Sequence, residues 1–112
     1  MTSKDTLSYN RRVGERLKLF REIRQLTQTD IALPLGYKSS GAWSLIESGE
    51  RGWNKTKIAH AAKLLNTYPE VLTADQSLTK EELIDLDKFL HIRTNPKHPQ
   101  YKEMLKFMTV TT

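Results

Sequence analysis

The sequence predicts an all-α fold, on three observations. Apolar residues recur at spacings of three and four, the mark of one face of a 3.6-residue helix. Strict apolar–polar alternation, which a half-buried strand needs, never persists. Glycine and proline fall near the ends of the periodic stretches, where helices start and stop. A chain of 112 residues that is 38% hydrophobic and 28% charged can form one compact core plus a short appendage, and its balance argues against global disorder. It is too short to join a reading domain to a large ligand-sensing domain, and no segment repeats at a fixed period.

The elements follow in order. The first expected helix runs from Ser8 to Leu26, with Val13, Leu17 and Phe20 as its core stripe and Leu19, Ile23 and Leu26 as a second stripe beside it. Thr27 is placed to cap a short helix from Gln28 to about Leu35, which Gly36 stops. Pro34 removes a helical donor and crowds the preceding turn, so this helix should end early or distort. Lys38, Ser39 and Ser40 open a helix through about Ser48, with Gly49 as its C-terminal stop. Asn54 caps the next helix, whose core face is Ile58, Ala61, Ala62 and Leu65. Pro69 suits the first turn of a short helix carrying Val71 and Leu72. After a polar connector at 73–77, Thr79 and Glu82 have capping-box spacing. Leu83, Leu86 and Leu90, with Ile84 and Phe89 adjacent, make an amphipathic helix to about Arg93. Pro96 and Pro99 break it, and a final helix from about Pro99 places Tyr101, Met104, Leu105 and Met108 on one side.

Charge narrows the function. Lys and Arg number 18 against 13 Asp and Glu, a net of +5, which favours polyanionic partners, nucleic acid before membrane. The excess is not evenly spread. Residues 1–66 hold 12 cationic and 6 acidic side chains, whereas residues 67–112 hold 6 and 7. Polyanion binding therefore belongs to the first part of the chain, and the near-neutral last third has another task. Cysteine is absent, which excludes disulfides, Cys-ligated zinc and a cysteine nucleophile. His60, His91 and His98 are dispersed and lack partners at metal spacing, so no metal is expected. Glu81, Glu82, Asp85 and Asp87 share a solvated helix surface without a nucleophile or pocket motif, and no phosphate-binding glycine loop is present. No enzyme activity and no cofactor are expected. Met1–Asn10 carries no apolar run and no stretch approaches 18 apolar residues, so a soluble, cytoplasmic chain without membrane attachment is expected.

The most informative pattern is Leu26-Thr27-Gln28-x-x-Ile31-Ala32-x-x-Leu35-Gly36, followed by Trp43-x-x-Ile46-Glu47-x-Gly49. Arg16-Leu17-x-x-x-Arg21 precedes it, and Ile58-x-x-Ala61-Ala62-x-x-Leu65 follows. Ala32 is small where one helix must approach the next closely, and Gly36 is free to take a positive φ at the turn. Trp43 and Ile46, three apart, would anchor a helix to the core and turn Ser40, Gly41, Ser44 and Leu45 outward. Over roughly residues 11–72 the pattern resembles the phage-repressor and Cro-like (XRE-type) helix-turn-helix family. The resemblance implies a five-helix lambda-repressor-like DNA-binding domain over residues 8–74, with a C-terminal two-helix extension over 75–112. It implies a regulator, a repressor before an activator, that binds a palindromic double-stranded DNA operator as a homodimer through the helix near 40–48. A prokaryotic or phage-infected cell is the implied setting.

The resemblance also distributes roles. Gln28, in the first turn of the scaffold helix, takes the position of a phosphate-bonding glutamine. Arg21 and Glu47 occupy the positions of a structural ion pair that orients the reading helix. Lys38, Ser39, Ser40 and Ser44 are placed to bond base edges around Gly41, and Ala42 and Leu45 to touch thymine methyls. Arg51, Asn54, Lys55 and Lys57 fit the segment that tracks the phosphate backbone, and Arg11, Arg12 and Arg16 would add contacts from the first helix. Trp53 is open to two readings, contact with the sugar-phosphate edge or plain packing. The chain departs from the family pattern in three places. Gly36 to Glu47 is one residue longer, Pro34 stands within the scaffold helix, and the reading face holds no Arg, Asn or Gln. These departures keep two alternatives open. One is an antitoxin or restriction-system controller whose C-terminal helices grip a protein partner. The other is a protein-interaction module that has lost sequence-specific reading. Residues 75–112 would dimerise, pack on the second stripe of the first helix, or dock a partner protein.

Overall fold

The computed structural model describes the backbone of residues 3–74 and 77–111, and the side chains of 8–74 and 77–106. Among the described residues there are seven helices and no strand: α1 (Ser3–Ile23), α2 (Gln28–Ala32), α3 (Gly41–Ser48), α4 (Lys55–Leu64), α5 (Pro69–Thr73), α6 (Lys80–Arg93) and α7 (Tyr101–Thr111). None is long and apolar enough to cross a membrane. The chain divides into two compact units, Met1–Asp75 and Gln76–Thr112.

The first unit is built around α1, which packs on α3 and α5, while α2 packs on α3 and α4 on α5. Its core is the set read from periodicity: Val13, Leu17, Phe20, Ile31, Ala32, Trp43, Ile46, Ile58, Ala61, Ala62, Leu65, Val71 and Leu72 are all buried. Of the second α1 stripe, Ile23 remains 38% exposed. Helix α1 starts five residues before the expected Ser8 and ends at Ile23 rather than Leu26, because Gln25 turns left-handed (φ 59°) and lets the Leu26 N–H reach back to the Arg21 carbonyl at 3.0 Å. The same device ends α2. Gly36 takes φ 92°, its N–H bonds the Leu33 carbonyl, and the Tyr37 N–H bonds the Ala32 carbonyl at 3.0 Å. As Pro34 requires, α2 is short: it stops at Ala32, not Leu35. Asn54 caps α4 through a 2.8 Å bond from the Lys57 N–H. Ser40 stands at the N-cap of α3 without a side-chain bond, and Ser39 Oγ accepts from Gly41 N instead, at 3.4 Å.

Gly14 fixes how closely α1 and α3 meet. A Cβ built there would fall on the main-chain carbonyls of Ile46 and Glu47, which cannot rotate away as a side chain can. Helix propensity alone favours Gly14→Ala by about 1 kcal/mol. Overpacking against backbone costs about 1–3 kcal/mol and wins. Gly14→Ala is expected to lower the urea midpoint, and an unchanged or raised midpoint would show that the two helices separate freely.

In the second unit, α6 packs on α7. The expected capping box is present: Thr79 Oγ1 accepts from the Glu82 N–H at 3.1 Å, and Glu82 Oε1 accepts from the Thr79 N–H at 2.9 Å. Leu83, Asp87 and Met104 are buried, and His91 Nε2 lies 3.3 Å from Asp87 Oδ1. Leu105 is 43% exposed, not covered with Met104, and the Met108 side chain lies outside the described residues. Thr27 and Asp30 form the matching box on α2. In both boxes the N-cap backbone N–H, and then the threonine hydroxyl, hold the carboxyl below its ordinary pKa. A carboxyl depressed by folding stabilises the fold above its unfolded pKa and loses that effect as pH falls through the folded one. The Thr27 and Thr79 amide protons should therefore titrate in NMR at pH values below 3.8 and 4.5, the ordinary values for Asp30 and Glu82. Amides that stay fixed through this range would show that the boxes are open in solution.

Candidate nucleic-acid interface

Helix α3 carries the face that matters, because one side of it is pinned and the other is open. Trp43 and Ile46 lock it into the core, while Gly41, Ser44 and Leu45 are exposed. Ser40 and Ala42 are half-buried at its start, and Lys38 and Ser39 are exposed in the turn before it. The pinning centres on Glu47, whose carboxylate is buried. Arg21 donates Nε to Oε2 at 2.7 Å and a terminal nitrogen to Oε1 at 3.1 Å, a two-pronged ion pair. Trp43 Nε1 donates to Oε2 at 2.6 Å, and Gln28 Nε2 to Oε1 at 3.1 Å. Arg21 also donates to the Leu26 carbonyl at 2.8 Å, and its hydrogen bond to Glu47 raises its pKa above the ordinary value. One carboxylate thus ties α1, α2 and α3 together.

The Arg21–Glu47 pair is where the sequence places it. The two further donors, Trp43 and Gln28, are not read from the sequence, although Trp43 and Glu47 stand at i, i+4 on one helix face. Gln28 is half-buried and spends one amide hydrogen on Glu47. It lines a polar notch of about 170 Å³ with Lys18, Ser44, Glu47 and Ser48. Lys18 is a residue that the sequence reading misses. Its Nζ lies 4.0 Å from Glu22 with both side chains more than half exposed, a weak surface contact that leaves the ammonium available. Its position three residues before Arg21 on α1 was the available signal.

The basic residues divide into two groups. Arg16 needs correction as a DNA contact: it is only 3% exposed, and its Nη1 donates to the Ala74 carbonyl at 2.7 Å and to those of Val71 and Leu72 at 3.4 Å. It closes the C-terminal end of α5, where carbonyls lack helical partners and the helix dipole favours a cation. Burial, then the neighbouring Arg12 charge, lowers its pKa. Arg24 does the same for α4, donating to the Leu65 carbonyl at 2.8 Å and to that of Asn66 at 3.0 Å. Part of the basic excess of the first 66 residues is therefore internal to the fold. Lys38, Arg51 and Lys55 are exposed, as is Asn54. Lys57 is half-buried: Nζ donates to the Leu35 carbonyl at 3.2 Å and sits 4.0 Å from the Tyr37 ring, with Arg51 5.7 Å from the same ring. These cation–π contacts tie the lengthened turn after α2 to the α3–α4 loop. Trp53 is half-buried against Tyr9, ring centroids 5.7 Å apart, and Arg12 lies 5.1 Å from the Tyr9 ring. Among the described residues, no group of three or more His, Cys, Asp or Glu could hold a metal ion. Comparison with protein-family models, curated proteins and solved structures returned no match to this chain.

Proposed function

We propose that this protein is a sequence-specific double-stranded DNA-binding regulator, acting as a repressor, with α2 and α3 as a lambda-repressor-like helix-turn-helix and α3 as the reading helix. The observation that carries the reading is α3 itself: a short helix fixed from behind by a saturated buried carboxylate, with its far side bare and cations beyond both ends. A reading head must be rigid, because base contacts tolerate little misplacement. Exposed Lys38, Arg51 and Lys55, with the capped N-terminus of α4, are suited to phosphates on either side of the groove. One reading helix spans few base pairs, so a two-fold homodimer on half-sites about one DNA turn apart is part of the proposal.

Selection of bound duplexes from a random pool tests it. Enrichment of a palindrome is expected, bound at least about a thousandfold more tightly than random DNA. Gln28→Ala, Lys38→Gln and Arg51→Gln should weaken binding to all sequences, and each lost phosphate contact should lower the salt slope by about 0.9. A change at Ser44 or Leu45 should alter which sequence is preferred. No enrichment at physiological salt would sink the reading. A specific observation favours a second reading in that event: Leu45, 42% exposed on a face of small side chains, suits a protein groove as well as a thymine methyl.

A further inference from the structure

Away from the α3 face, the first unit holds a cavity of about 380 Å³ between the start of α1, the α3–α4 loop, α4 and α5. Tyr9, Trp53, Ile58, Ala59 and Pro69 give it apolar and aromatic walls, and Lys55 is the one charged residue among its lining. The volume lies in the range that holds small organic ligands. The hydroxyls at its edge are engaged, since Thr73 Oγ1 donates to the Pro69 carbonyl at 2.9 Å and the Tyr9 hydroxyl to the Thr73 carbonyl at 3.3 Å. The Trp53 indole is not: Nε1 is shielded from solvent and has no hydrogen-bond acceptor. A buried donor left without an acceptor carries its full desolvation cost, which an incoming acceptor would remove.

We propose that this cavity binds a small aromatic carboxylate. A flat ring matches the tilted Tyr9 and Trp53 faces, which favour offset or edge contacts over a flush sandwich. An acid group matches both polar features of the lining, the Lys55 ammonium and the indole N–H, where a neutral or cationic ligand matches only one or neither. The site stands apart from the reading face, and the inference does not depend on DNA binding.

Calorimetric titration of the full chain with 2-naphthoate tests it, with 2-naphthamide as the neutral isostere. Saturable one-to-one binding of the acid is expected, about tenfold weaker for the amide and for Lys55→Gln. Trp53→Phe, which keeps a ring and removes the N–H, should weaken it several-fold. Ala59→Phe, a change at an exposed helix position that fills the cavity, should abolish it. The proposal falls if no saturable binding occurs up to the solubility of the acid, or if Ala59→Phe and Lys55→Gln bind it as the parent does. It falls equally if sedimentation shows a self-associating chain that Ala59→Phe renders monomeric, since the cavity would then be an interface between two copies.

Discussion

Glu47→Ala should destabilise the first unit by about 3–5 kcal/mol, the usual cost of removing one partner from a buried ion pair. The expectation rests on what would be stranded. Arg21 would keep a guanidinium in a site where its side chain is only 12% exposed, with the Leu26 carbonyl as its remaining printed bond. The Trp43 indole N–H would lose its acceptor inside the core. Buried ion pairs can often be replaced by apolar residues at little cost. Here that rule should fail in a diagnostic way. Arg21→Met with Glu47→Leu removes both charges but leaves Trp43 Nε1 unsatisfied, at about 1–3 kcal/mol. Adding Trp43→Phe removes that donor and should restore part of the loss. Urea unfolding of the single, double and triple variants, followed by far-UV circular dichroism because the triple variant lacks Trp43, gives the order. If the double variant already matches the parent, Trp43 does not depend on Glu47 and the carboxylate is an ordinary pair.

What was legible in the sequence was what acts within a few residues along the chain. Thr27 with Asp30, Asn54 with Lys57, and Thr79 with Glu82 satisfy helix N-termini three residues on, and such bonds leave a local signature. Gly36 and Gly49 mark helix ends by their own conformational freedom. The buried stripe of α1, and the inward turn of Trp43 and Ile46, follow from a 3.6-residue period once a helix is granted. What could not be read depends on a distant segment. Gly14 looks like a poor helix residue until the carbonyls of Ile46 and Glu47 arrive above it. Tyr37 looks like a loop aromatic until Arg51 and Lys57 close over it. Gln25 and Asn66 take left-handed turns where the expected signal would be glycine, and Arg24 bonds the carbonyl of Asn66 beside the second of these. The arginines of α1 misled most. A cation in a basic segment reads as a contact for phosphate, and only the fold shows that Arg16 and Arg24 face the ends of α5 and α4.

That distinction makes Arg16 the position where structure and charge counting predict opposite results. If Arg16 closes α5, Arg16→Met should destabilise the first unit by about 2–4 kcal/mol, since hydrogen bonds from a charged donor contribute about 1.5–3 kcal/mol and the Ala74 carbonyl would lose a 2.7 Å bond. The desolvation of the guanidinium, which lowers its pKa, would be relieved by the same substitution and offsets part of the loss. The uncompensated carbonyls of Val71, Leu72 and Ala74 outweigh it, because methionine brings volume but no donor. Arg16→Lys should be intermediate: it keeps the charge but lacks the planar fork that reaches three carbonyls from one nitrogen cluster. Binding separates the two readings further. At a temperature where Arg16→Met is still folded, its affinity for duplex DNA and its salt slope should equal the parent's, while Arg51→Gln lowers both with stability unchanged. A variant at Arg16 that keeps its urea midpoint and loses about 0.9 from the salt slope would place that guanidinium on a phosphate and not on α5.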